Sequence, residues 1–499
     1  MTDSPAWQSD SMTRRVSVSE ISQHCSPRDS WIVVDGNVYD MTDFAPSHPG
    51  GPEIIHQYSG RDASVPYNKV HAPSLIKSSL DTKHHIGILD TATISETWKA
   101  ESTPTAARPS REEVPSKPPL KDLISMYDFE AVARQSFTNK AWAYINGASN
   151  DNITRDINRA VLDKIWLRPA VMRDVGKVSA KTTLFGCHLE APFYISPTGA
   201  ARTAGEEGEL ALARGAGHSG IIHCISTPAS YPHDEILEAT PQHAFFQLYV
   251  DKDRAKSARL LRHISANTKV KAIFVTVDLP VVSKREDDER ARPDSTVSKK
   301  QQPYHARDQK GAGLARQSGS FIDPTVTWHD IPWIRKNTSL PLVIKGIQRW
   351  QDAQKALDLE CQGIVVSNHG GRAADTAQPS IITLLEMHRN CAHVFTSMTV
   401  LVDGGFRRGS DILKAICLGA SAVGIGRPFL YAVNYGTSGV EHAVAVLRDE
   451  IGTAMRLCGM TNLMDDAGPD FLNVSPVEHL VHRGTHPYLR QIPRPKSRL

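Results

Sequence analysis

Between residues 192 and 428 the sequence repeats one theme eight times: a short apolar run that ends on polar or glycine residues. The runs are PFYIS (192–196), GIIHCIS (220–226), AFFQLYV (244–250) and KAIFVTVD (271–278). They continue with LPLVIKG (340–346), GIVVSN (363–368), TVLVDGG (399–405) and AVGIGRP (422–428). Near-continuous apolarity marks strands buried on both faces, as in a parallel sheet. Helix-like stretches separate the runs, and eight strand–helix units are the count of a closed barrel. The pattern predicts an α/β fold of the (β/α)8 TIM-barrel type. Such barrels keep their chemistry at the C-terminal ends of the strands. Those ends carry Ser196, Ser226, Gln247, Tyr249, Thr276, Asp278, Lys345, His369, Asp403 and Arg427.

The barrel takes up only part of the 499 residues. A tail (1–15) precedes a first unit (16–90), in which DSWIVVDGNVYDMTDF reads as two strands around Asp35-Gly36-Asn37. Short amphipathic segments broken by Pro and Gly follow, so this unit is expected to be a small α+β domain. Residues 91–119, rich in Thr, Ser, Pro and Ala, have the composition of a flexible linker. The barrel unit is placed at 120–475 and a C-terminal tail at 476–499. Within the barrel, the charged stretch 284–320 interrupts the rhythm after the fourth strand and reads as a mobile loop over the mouth.

Charge excludes some partners. Lys plus Arg number 57 against 54 for Asp plus Glu, so no one-sign field invites nucleic acid. No apolar run reaches the roughly 18 residues that span a bilayer. The seven cysteines form no C-x-x-C pair, which fits a reducing compartment. The N-terminus has no apolar core of a secretory signal. The chain ends in Ser-Arg-Leu, one residue from the peroxisomal address Ser-Lys-Leu, so peroxisomal import is expected. The cytoplasm and the mitochondrial intermembrane space are the alternatives.

Three groups of residues carry chemistry. Lys345 ends a strand where an ammonium would stabilise negative charge on a ring being reduced. Asp403-Gly404-Gly405 and Gly426-Arg427 follow strands seven and eight, the usual phosphate site of a barrel. Together they point to FMN across the mouth. A buried Asp278 can orient His369 as a general base. Arg372, three residues on, offers a planar fork for a carboxylate. That constellation describes oxidation of a small-molecule 2-hydroxy acid. In the first unit, His48 (SHPGG) and His71 (VHAP) are candidate axial ligands of a haem iron.

Two resemblances sharpen this reading. WIVVDGNVYDMTDFAPSHPGG with VHAP resembles the cytochrome b5 fold family, which implies haem b held by His48 and His71. AWAYINGASND, QLYV, VTVDLP, IKG, SNHGGR, VDGGFRRG and GRPFLYA resemble the FMN-dependent 2-hydroxy acid dehydrogenases and oxidases. That resemblance implies Tyr144 and Arg372 on the substrate carboxylate, Tyr249 on its hydroxyl, His369 as base and Asp278 as its partner. It also implies Arg285 on the substrate side. Thr198, Gly199, Ser226, Gln247, Thr276, Lys345, Asp403, Gly404, Gly405, Arg407, Gly426 and Arg427 are implied as cofactor-binding positions. A homotetramer is implied as well, and a one-electron acceptor such as cytochrome c. The competing readings are an oxidase that forms hydrogen peroxide and a non-catalytic haem-binding protein. Two departures from lactate-specific members stand out: Gly199 replaces Ala, and Pro228 replaces an aliphatic residue. The lost methyl is expected to enlarge the pocket.

Overall fold

The computed structural model describes residues 14–48, 52–102, 117–291, 314–315 and 319–482. The first 13 residues, the central part of the 284–320 loop and the Ser-Arg-Leu terminus lie outside the described residues.

The N-terminal unit is built on a mixed sheet. Asp29–Val34 and Asn37–Asp40 form an antiparallel hairpin through the Asp35-Gly36 turn, as its sequence predicts, with both turn residues at positive φ. Asn37–Asp40 pairs with His85–Leu89, and Arg15–Val16 closes the edge. Alternation along Asp29–Val34 sends Trp31 and Val33 to one face and Ile32 and Val34 to the other. The second face meets Ile55, Ala63 and Ile76, contributed by the segments that carry the candidate haem ligands.

The first face is completed from an unexpected place. Residues 91–102, expected to be tether, include a helix, Glu96–Ser102, whose Trp98 is 6% exposed within that core. Its indole Nε1 donates to Gly60 O at 3.1 Å. One large aromatic with a satisfied N–H outweighs the polar composition around it. The N-terminal unit therefore extends through Ser102.

The second unit is a closed barrel of eight parallel strands. They are β1 (Phe193–Ile195), β2 (His223–Ile225), β3 (Ala244–Leu248) and β4 (Val270–Thr276). β5 (Leu342–Ile347), β6 (Gly363–Val366), β7 (Thr399–Asp403) and β8 (Ala422–Ile425) complete it. Each strand falls within one of the eight apolar runs or oversteps its end by one residue. Tyr194 opposite Gly424 shows the register that joins β1 to β8. Alternation divides the side chains: Tyr194, Cys224, Phe245, Phe274, Val343, Val365, Leu401 and Ala422 fill the barrel. Their neighbours, such as Phe246, Ile273 and Val400, pack against the outer helices. A hairpin, Thr182–Leu184 with Cys187–Leu189, closes the N-terminal end of the barrel. Phe185 at its tip meets Phe245 and Phe274 edge-on at 5.7 and 6.5 Å.

The barrel unit also runs past residue 475, since Val477 and Val481 are buried in its core. All seven cysteines are free thiols. Among the described residues no helix is long and apolar enough to cross a membrane. The two units touch: Ala72 N donates to Ser230 O at 2.8 Å, beside the barrel mouth.

Candidate active site and haem pocket

At the C-terminal ends of the strands lies a cavity of about 320 Å³, within the range of small-molecule sites. Its walls include all but one of the barrel residues singled out from the sequence; Asp278 stands behind His369.

His369 owes its position to an unusual turn. His369, Gly370 and Gly371 have φ of 59°, 61° and 83°, three consecutive left-handed residues. For histidine this costs energy and persists only where neighbours hold it. Asn368 holds it. Its side chain accepts from Gly371 N at 3.1 Å and exchanges hydrogen bonds with Asn158 at 2.8 and 2.9 Å. Ser367 Oγ accepts from His369 N at 3.0 Å and from Lys345 Nζ at 3.1 Å. Glycine suits residue 371 for a second reason: a Cβ would lie 2.5 Å from the Arg155 nitrogen.

The ring that this turn delivers has two different nitrogens. Nδ1 lies 2.9 Å from Asp278 Oδ1, a carboxylate with no exposed surface. Nε2 faces the cavity, 3.4 Å from the Tyr249 hydroxyl. Burial lowers the His369 pKa below its ordinary value against the upward pull of Asp278. Burial raises that of Asp278, but His369 and Lys345 outweigh it and keep the group ionised. A neutral imidazole with its lone pair on Nε2 is a base ready to accept a proton.

Two arginines face this base. Burial and the nearby Arg285 pull the Arg372 pKa down to about 10, while Tyr144, Tyr431 and Tyr249 oppose the shift. Arg372 donates to the carbonyls of Ile145 and Tyr144, yet its buried Nε has no partner. The buried Nε of Arg285 has none either. Arg285 begins the short helix Glu286–Arg290, whose Asp288 is paired with Lys140 at 2.8 Å. Two neighbouring buried cations with spare donors suit a carboxylate ligand. Tyr144 donates to Gly199 O at 3.3 Å, and burial raises its pKa.

A polar row crosses β2, β3 and β4. Ser226 Oγ donates to Gln247 Oε1 at 3.3 Å, and Gln247 Nε2 to Thr276 Oγ1 at 3.0 Å. Lys345, 3.3 Å from Asp403, stays protonated because Asp403 and Asp278 outweigh its burial. The hydroxyls of Ser196 and Thr198 are buried without partners, and so is Asp403 Oδ1. A Cβ at Gly426 would have about 3.8 Å of clearance, so a ligand can approach the backbone closely there. Orphaned hydroxyls, a buried ammonium and open glycine backbone fit a flavin nucleotide.

Arg427, expected to hold phosphate, lines the cavity and also donates to Ile145 O (3.1 Å), Gly370 O (2.9 Å) and Gly147 O (3.0 Å). It pins the His369 turn to the helix Asn139–Asn146, and burial pushes its pKa well down. Arg407 is also engaged, 3.1 Å from Glu130. The space expected beside Gly199 is filled: a Cβ there would lie 2.7 Å from the Pro228 oxygen and 3.0 Å from its ring. The two departures are one coupled change.

In the first unit the rings of His48 and His71 stand 6.3 Å apart between centroids. Two metal–imidazole bonds of about 2 Å each need a separation of this size. Burial and the neighbouring His48 lower the His71 pKa to about 4, and its Nδ1 has no partner. Phe44 lies against the His48 ring and Tyr67 against the His71 ring, and both flank the apolar core with Tyr58 and Leu80. This donor pair fits a haem.

Sequence reasoning gave no role to the supports Asn158, Ser367, Glu209 and Arg202. Of these only Ser367 stood inside a recognised string, SNHGGR, and Asn368 was seen only as a polar strand end.

Comparison with known proteins agrees with both halves. Residues 133–473 match the FMN-dependent dehydrogenases, and residues 17–90 match the cytochrome b5-like heme/steroid binding domain. The chain belongs to the FMN-dependent dehydrogenase family and carries a cytochrome b5-like domain in front; its cofactors are FMN and haem b. It is 38% identical over 481 residues to L-lactate dehydrogenase (cytochrome) of Saccharomyces cerevisiae, covering 93% of this chain and 80% of that protein. It is 36% identical to 2-hydroxyacid oxidase 2 of Bos taurus, over 69% of this chain and 96% of that one. Among solved structures, a doubly substituted flavocytochrome b2 with pyruvate bound matches at a TM-score of 0.66 and 40% identity. That match covers 74% of this chain and 92% of the other.

Proposed function

We propose that this enzyme oxidises an L-2-hydroxy acid of the lactate class to the 2-oxo acid and passes the electrons through haem b to a one-electron acceptor such as cytochrome c. The observation that carries the reading is His369, held by the carboxylate of Asp278 and set opposite Arg372 and Arg285. The names of the relatives support the substrate class.

In this reading Arg372 and Tyr144 hold the substrate carboxylate, with Arg285 adding charge. Tyr249 orients the hydroxyl toward His369. The conversion of a secondary alcohol to a ketone releases two electrons and two protons. His369 Nε2 takes up one proton, and Asp278 stabilises the resulting imidazolium. FMN, when bound, supplies the two-electron acceptor. Ser226, Gln247, Thr276, Thr198 and Lys345 would hold its ring region. Gly199, Asp403, Gly404, Gly405, Gly426, Arg407 and Arg427 shape the rest of the bed. Lys345 sets a fixed positive charge where the reduced ring becomes negative. His48 and His71 would ligate the iron.

A homotetramer is the assembly proposed from the family. The terminal Ser-Arg-Leu supports a peroxisomal address, tested by whether deleting it abolishes import of the tagged protein. The test of function is an anaerobic visible spectrum of the full-length protein with L-lactate, then L-mandelate. Bleaching of the flavin followed by reduced-haem bands is expected. Bleaching with the haem left oxidised would favour an oxidase. No bleaching with either acid would refute the substrate class.

A further inference from the structure

We infer that Arg202, a barrel residue, is the positioning residue that clamps the haem module to the flavin site and sets the charge beside the haem ligand. This rests on the function proposed above.

The clamp is built from two βα loops of the barrel. Arg202 Nη2 donates to Asn68 O at 3.0 Å, across the boundary between the units. Asn68 lies in the last turn of the helix Ser64–Val70, three residues before His71. Carbonyls in a last helical turn lack intrahelical partners and carry partial negative charge, so a guanidinium is a fitting cap. Nη1 of the same guanidinium donates to the Tyr231 hydroxyl at 3.1 Å, and the guanidinium carbon stands 5.3 Å from that ring's centroid. A rigid fork thus joins both units through one side chain. The second interdomain bond, Ala72 N to Ser230 O, lies on the other side of His71.

The platform below is prepared without the haem module. Glu209 has no exposed surface, and its Oε1 accepts from Ala201 N at 3.0 Å and Ser230 N at 2.9 Å. One buried carboxylate thereby locks the two loops together. Ser230 Oγ in turn accepts from Arg202 N at 3.2 Å. The bonds on either side of His71 are therefore anchored to one point in the barrel.

The same side chain acts through its charge. Its guanidinium is bonded to the carbonyl of Asn68, three residues before His71, and its buried Nε has no protein partner. Reduction of a ferric haem adds one electron and removes one positive charge. A fixed cation beside the ligand favours that change and raises the midpoint potential. The two electrons from one substrate arrive singly, in two such steps. Arg202 thus holds the haem module at the barrel mouth and would make the haem a better acceptor.

The test compares full-length holoenzyme with Arg202→Gln and Arg202→Lys variants. The haem midpoint potential is measured by spectroelectrochemistry, and flavin and haem reduction by anaerobic stopped flow with L-lactate. In Arg202→Gln, flavin bleaching should stay within about twofold of the parent. Haem reduction should slow by about tenfold, the scale of a lost hydrogen bond to a charged group, and the potential should fall. Arg202→Lys should restore the potential but only part of the rate, because an ammonium cannot span both partners in one plane. A Gln variant with the parent's potential and haem reduction rate would overturn the inference. If L-lactate left the parent's flavin oxidised, the substrate reading would fail. The potentials need no substrate and would still decide the role of Arg202.

Discussion

His369 and His71 are both largely enclosed, and burial lowers the pKa of each, yet their surroundings prepare them for opposite tasks. His369 has a carboxylate 2.9 Å behind it, which makes the protonated ring tolerable. Among the described residues no such carboxylate bears on His71; the charges that act on it are another imidazole and Arg202, and burial with them lowers its pKa to about 4. One ring is arranged to take a proton and pass it on. The other is arranged to keep its lone pair for a metal. The residue type is the same, and the neighbour behind the ring decides the chemistry.

Four substitutions test that contrast through one measurement, the rate at which hydroxy acid bleaches the flavin. His369→Gln should slow it by about 10²–10⁴-fold with flavin still bound, the usual loss of a central base. Asp278→Asn should cost up to about 10⁴-fold, because the ring survives but loses its counter-charge and its tautomer. It should also move the acid limb of kcat/KM. In the parent the limb should lie on the acid side of an ordinary histidine, since burial depresses the His369 pKa. Removing the negative partner destabilises the imidazolium further, so the limb should shift to lower pH, and a shift upward would contradict the assignment. Ser367→Ala removes the hydroxyl shared by Lys345 and the His369 backbone, and a few-fold loss is expected for one hydrogen bond. His71→Ala should leave bleaching unchanged while abolishing the haem absorption bands. A haem retained in that variant would break the comparison at its other end.

Much of this was legible in the sequence because it was local. The eight strands announced themselves as apolar runs, and His369, Arg372, Asp278 and Lys345 stood at strand ends where a barrel places them. The histidines of the first unit sat in an uncommon string. What was illegible depended on contacts distant in sequence. Gly199 and Pro228 looked like two separate departures, because only the fold brings residue 228 against residue 199. The second task of Arg427, pinning the His369 turn, was hidden because its three carbonyl partners come from residues 145, 147 and 370. Trp98 was hidden by the polar residues around it. Arg202 and Glu209 carried no motif, since a docking platform needs only the right atoms at the right height.

The hairpin that closes the floor of the barrel makes it a cup with a single rim. Substrate, product and solvent must all pass over that rim, and the haem module is seated on one side of it. Fuel delivery, waste removal and electron export therefore share one crowded doorway. Whatever crowds the rim on the Ser230 side governs the traffic of molecules and of electrons together, so the throughput of this enzyme is a property of its threshold as much as of its hearth.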